Sequence, residues 1–217
     1  WELQPSLSPV TPLTATAFPT GLIIERLRRH GHRLPAQVDT VFQTLRQTGF
    51  RYYDLPELPP DADDLGLLLR LLPYATPARQ PEYRQLLQAP LARMAGSILP
   101  SGEIPVWFPN DSELNDQAAS ILIWGNSCAA TEINLLLGLI RLDGPGYATI
   151  IRNSLRSLLD RFDSHGLAAA LYYPPPYILW ALFELLTQLP DELVTIGLNK
   201  KIERLAPRLE NRLKQEI

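Results

Sequence analysis

Apolar residues fall along this chain in two distinct patterns. In Leu65–Leu72, Ile133–Ile140 and Ile178–Leu186 they cover nearly every face, leaving no polar side for solvent. In Val38–Arg46 and Ile150–Phe162 they alternate with charged residues at helical period, the mark of a half-buried helix. The first pattern predicts helices packed inside and the second predicts helices packed outside. Four pairs follow. First members begin near Thr14, Asp61, Asn126 and Pro174, and second members run over Pro35–Gly49, Pro81–Ile98, Gly146–Arg161 and Asp191–Leu213. The starts are spaced by about 47, 65 and 48 residues, a helical repeat of roughly 50 residues with an insertion after the second pair. Prolines fall between these blocks more than inside them, and Asn-Gly and Asp-Gly hairpin dipeptides are absent. The expected fold is all-α: one domain over residues 1–217, four helical hairpins in a partial or complete α/α toroid, apolar inner helices ringed by amphipathic outer ones.

The second of these inner helices opens on acid. Pro60-Asp61-Ala62-Asp63-Asp64 runs straight into Leu65-Gly66-Leu67-Leu68-Leu69-Arg70-Leu71-Leu72. Carboxylates at a helix start have an ordinary explanation, since one caps the first turn and the others favour the positive end of the helix dipole by about 0.3–1 kcal/mol each. Three carboxylates against an apolar wall are also the setting for a shifted, functional acid. Both readings stand at this point. Glu132 and Asn134 lie one turn into the third inner helix, where an unpaired charge is costly. Either they pair with an arginine such as Arg141 or Arg152, or they face a wet cavity; Glu184 in the last inner helix poses the same question.

The acidic block resembles the Asp-x-Asp-Asp motif of class II terpene cyclases and squalene–hopene cyclases, and the wider chain resembles proteins built from prenyltransferase/squalene-oxidase repeats. Gly102-Glu103-Ile104-Pro105-Val106-Trp107-Phe108 is similar to the glycine turn before an aromatic in those repeats. Asn126–Leu136 and Tyr172-Tyr173-Pro174-Pro175-Pro176-Tyr177 are similar to later inner-helix starts, and Leu13–Phe18 to an earlier one. Leu65-Gly66 stands where the family continues Thr-Ala, and the Gln–Trp motif of triterpene cyclases is missing. The resemblance implies an isoprenoid-handling protein in which Asp63 protonates an alkene or epoxide, with Asp61 and Asp64 as helpers. It makes Trp107, Trp124, Tyr172, Tyr173, Tyr177 and Trp180 the candidate lining for a hydrophobic substrate and its carbocations, joined by Glu132 and Asn134. No cofactor is expected. The alternative is a non-catalytic helical-repeat domain that binds a lipid, a peptide or a partner subunit in its concavity.

Composition narrows the partners. The 217 residues are 46% hydrophobic with a net charge of −3, which excludes a disordered chain and gives no basic field for nucleic acid. No apolar run reaches the roughly 18 residues of a membrane span. A lone Cys128 forms no internal disulfide and fits a reducing, cytoplasmic setting. His30 and His32 read as a solvated helix end and His165 as a turn residue, so no metal site is expected. Exposed inner helices of an open ring would favour a homo-oligomer or a partner domain. The chain opens at Trp1 and its single methionine is Met94, so it reads as trimmed or cut from a longer polypeptide.

Overall fold

The computed structural model describes residues 17–50, 59–109, 127–166 and 173–216. Among them the protein is all-helical. Eight α-helices run α1 Ala17–Arg29, α2 Pro35–Gln47, α3 Ala62–Leu71, α4 Gln80–Ser97, α5 Ala129–Asp143, α6 Ala148–His165, α7 Pro175–Gln188 and α8 Ile196–Glu216. Extended pairing among the described residues amounts to an isolated antiparallel bridge between Asp61 and Trp107.

The two hydrophobic patterns sort α2, α3, α5 and α6 as their periodicity requires, whereas α7, expected to be buried on nearly every face, leaves Phe183 exposed. In α2, Val38, Val41, Phe42 and Leu45 form one buried stripe, and in α6 the stripe is Ile151, Leu155, Leu158, Leu159 and Phe162. In α3 every residue is buried except Asp63, which is half-buried, and α5 is buried from Ala129 through Leu139. Each fully buried leucine of these two helices contributes about 1.5–3 kcal/mol to folding. Prolines open α2, α4 and α7, where a missing backbone N–H leaves no bond unmade.

α3 packs most extensively on α5, α5 on α7, and α1 on both α2 and α3. Glycine makes the α3–α5 contact close. A Cβ on Gly66 would stand 2.8 Å from the Asn134 carbonyl, and one on Gly138 would stand 2.8 Å from the Gly66 carbonyl oxygen. The amphipathic helices attach by mixed contacts. Phe42 of α2 stacks on Tyr83 of α4 at 4.2 Å between ring centroids. On α8, Lys201 pairs with Asp160, and Arg204 and Arg208 both pair with Asp163, all on α6. α1 meets α7 through charge: Arg29 and Glu184 are paired, and the Arg26 guanidinium lies 3.7 Å from the centre of the Trp180 ring.

The segment after α4 returns to the start of α3. Leu99 and Gly102 close a tight turn, with Gly102 at φ +89° and only 2.9 Å between its virtual Cβ and the Asn153 carbonyl oxygen, so no other residue fits there. From that turn the chain reaches Val106 and Phe108, whose backbone bonds to Ala62 and Pro60 at 2.8 Å each hold it against the acidic helix start.

Candidate functional site

The acidic trio separates into three environments. Asp61 is the N-cap of α3, extended at φ −117°, and its side chain accepts from the Asp64 backbone N–H at 2.7 Å. The ordinary reading of this residue is therefore realised. Asp64 is buried, and neither of its carboxylate oxygens has a hydrogen-bond partner among the described residues. Asp63 points elsewhere. Its Oδ1 accepts from Asn134 Nδ2 at 2.8 Å and its Oδ2 from the Tyr173 hydroxyl at 2.7 Å. The groups that hold Asp63 are thus Asn134 and Tyr173, on α5 and at the entry to α7, and not the neighbouring aspartates.

Burial raises the pKa of all three acids. It pushes Asp64 up to about 8, with the negative charge of Asp63 adding to the effect. Asp61 is held well above the usual carboxylate range by burial, then by the charges of Asp64 and Asp63. Asp63 is also raised by burial, against the opposing pull of its bonds to Asn134 and Tyr173 and of the Arg70 charge. Burial of this kind shifts each acid toward its protonated form, which exposure to solvent would not.

Around it the polar groups form one connected chain through the helices. Asn134 Oδ1 accepts from the Tyr177 hydroxyl at 2.9 Å and from Arg70 Nη1 at 3.4 Å. Arg70 faces Glu25 of α1 at 3.5 Å, and Glu25 pairs with Arg141 at 2.8 Å and Arg29 at 3.3 Å. Arg141 continues to Glu184 at 3.1 Å. The geometry on α3 is regular: Asp63, Gly66 and Arg70 are spaced i, i+3, i+7 and so share the stripe that meets Asn134 and Gly138. The backbone approach and the polar contacts occupy the same face.

Tyr173 and Tyr177 stack at 4.7 Å, and Trp180 tilts against Tyr177 at 5.8 Å, giving a short aromatic wall beside Asp63. Trp180 already carries the Arg26 guanidinium on its ring. Trp107 is brought alongside Asp61 by backbone pairing, and its buried indole nitrogen has no partner among the described residues. Trp124 and Tyr172 lie outside the described residues. Glu132 is not part of this constellation. It stands about 200° around α5 from Asn134 and is paired there with Arg161, which also donates to Ser127 at 3.2 Å; Ser127 in turn donates to Glu103 at 2.8 Å. Of the two arginines that the sequence suggests for these groups, Arg141 serves Glu184, while the partner of Glu132 is Arg161.

Sequence reasoning passed over the hub. Arg70 is 1% exposed, and a single arginine in an otherwise apolar helix was the signal that it must be paired inside the core. Glu25, two turns into α1, gave a weaker signal because its neighbours Arg28 and Arg29 offered it surface partners. Among the described residues no group of three or more histidine, cysteine, aspartate or glutamate side chains is arranged to hold a metal ion, and no helix is long and apolar enough to cross a membrane. No protein-family model matches the chain, and no curated protein or solved structure is significantly similar to it.

Proposed function

We propose that the acidic mouth of α3 is a proton-donating site acting on an isoprenoid-class hydrocarbon, in the manner of class II terpene cyclases, and that the four hairpins form a partial α/α toroid around it. The observation that carries this reading is Asp63 itself. It is a half-buried carboxyl with a raised pKa, flanked by two further acids whose pKa burial also raises and walled by Tyr173 and Tyr177. In the reaction, the Asp63 O–H bond breaks as the substrate's C=C electron pair takes the proton and forms a new C–H bond. The neighbouring carbon becomes cationic, and a second C=C of the same molecule attacks it to close a ring. Loss of a proton from the final cation restores neutrality, and Asp63 is reprotonated from solvent. The aromatic faces of Tyr173 and Tyr177 stabilise the cation as they would any cation, by about 0.5–2 kcal/mol each when desolvated.

Incubating the protein with C10 to C30 isoprenoids, followed by gas chromatography, tests this directly. Wild type is expected to give cyclised product, and Asp63→Asn, which keeps the shape but has no acidic proton, is expected to lose at least about two orders of magnitude of rate, the range assigned to a general acid. Silence from both proteins across the series removes the catalytic reading.

A binding domain without chemistry is the second reading, favoured by Ile23 and Leu27 on α1 and Phe183 on α7, which are large, apolar and exposed, Phe183 at 64%. Under it these residues seat a partner subunit, and the acids remain structural.

A further inference from the structure

Both oxygens of Asp63 accept hydrogen bonds, but their donors are not equivalent. A tyrosine hydroxyl changes from donor to acceptor by turning its own proton. A side-chain amide changes only by rotating as a whole, exchanging Nδ2 for Oδ1. If Asn134 were free to rotate, it would accept a proton from Asp63 Oδ1 as readily as it donates to it, and either oxygen would serve as the acid.

Asn134 is not free. Its Oδ1 accepts from Tyr177 at 2.9 Å and from Arg70 Nη1 at 3.4 Å. Tyr177 would follow a rotated amide by reversing its hydroxyl. Arg70 would not, because a guanidinium has five donors, no acceptor and no accessible deprotonated form. Rotation would set the Asn134 N–H against the N–H of Arg70, which is 1% exposed. Arg70 is held in place by Glu25, itself bound by Arg141 and Arg29.

We propose that Arg70 is a positioning residue for the acid: by locking the Asn134 amide with its N–H toward Asp63, it excludes the proton from Oδ1 and leaves Oδ2, beside Tyr173, as the atom that carries and delivers it. This rests on Asp63 being the proton donor. The groups around Asp63 are Asp61, Asp64 and Arg70 from α3, Asn134 from α5, and Tyr173 and Tyr177 from the last inner hairpin, with Glu25 of α1 behind Arg70. Among these, Arg70 holds the donor-only cation in contact with the amide. A substrate alkene is therefore protonated from the Oδ2 side.

The test is a 13C NMR titration of aspartate-labelled protein, with Asp63→Asn to assign the resonance, and 15N detection of the Asn134 side-chain amide. Arg70→Met removes charge and donors at similar volume, whereas Arg70→Lys keeps a donor-only cation. In Arg70→Met the Asp63 midpoint is expected to rise by about one pH unit, a tenfold change in proton affinity, and the Asn134 amide to show a second environment. Arg70→Lys is expected to leave both unchanged. A folded Arg70→Met with an unmoved midpoint overturns the proposal, as does an Arg70→Lys that moves equally far. Where methionine prevents folding, Arg70→Gln, polar but able to accept, is read by the same criteria. The titration needs no substrate. The Arg70→Met shift without isoprenoid turnover leaves the positioning role standing and removes the catalytic reading; turnover without the shift does the reverse.

Discussion

Asp64 is a buried carboxyl with no hydrogen-bond partner among the described residues, and it gives the protein an unusual pH dependence. Its pKa in the folded state is about 8, against an ordinary value of 3.8. The folded chain thus holds a proton there that the unfolded chain releases, across the interval between those values. Stability is complete below the lower value and falls as pH rises toward the upper one, with a slope approaching about 1.4 kcal/mol per pH unit. Asp61, raised for the same reason, adds to the trend. Glu25 acts in the opposite sense. Burial alone would raise its pKa, but Arg70, Arg141 and Arg29 together hold it below 4.5, so its contribution disappears only in stronger acid. Thermal melts are expected to show greatest stability at mildly acidic pH, with Tm lower at pH 8 than at pH 5. Asp64→Asn, neutral at every pH, is expected to flatten that decline and raise Tm at pH 8. A wild-type Tm that climbs from pH 5 to pH 8 contradicts this account of Asp64.

At the scale of helices, the α3–α5 crossing sets two general effects against each other. Alanine is a better helix former than glycine by about 1 kcal/mol, so Gly138→Ala ought to stabilise α5 in isolation. Its new methyl would stand 2.8 Å from the Gly66 carbonyl oxygen and from Leu69 Cβ. Backbone cannot turn aside as a flexible side chain can, so packing wins, and a net loss of about 1–3 kcal/mol is expected from a lower urea midpoint at constant m. Gly66→Ala should behave alike, and the double variant should be non-additive, because one separation of the helices relieves both clashes. Helix identity was readable beforehand because apolar period and proline position are local: the expected starts that fall among the described residues lie within about five residues of the observed helices. The crossing was not readable, since nothing local distinguishes a glycine that admits another backbone from one that merely tolerates a helix. The partners of Asp63 were hidden for the same reason. Asn134 and Tyr173 lie 71 and 110 residues away, and only the approach of α3 to α5 and α7 selects them.

Across the described residues, α3, α5 and α7 pack through buried apolar side chains, while α1 and α7 are joined by Glu25, Arg29, Arg141 and Glu184. Removing one charge from such a buried set leaves the others uncompensated. Glu25→Gln, which strands Arg70, is expected to cost about 3–5 kcal/mol, more than the loss of an exposed pair such as Arg46 with Glu82, worth about 1 kcal/mol or less. Comparing the two by denaturation checks this, and equal losses would mean that the buried set is no stronger than surface charge. Arg29 and Glu184 are 155 residues apart in sequence, so this junction forms only after α7 has been synthesised. Until then the edge of α1 that awaits α7 presents guanidinium and carboxylate groups, which water solvates well. A chain still lacking α7 therefore waits for it with a hydrated margin on that side, where an apolar one would invite aggregation with its neighbours.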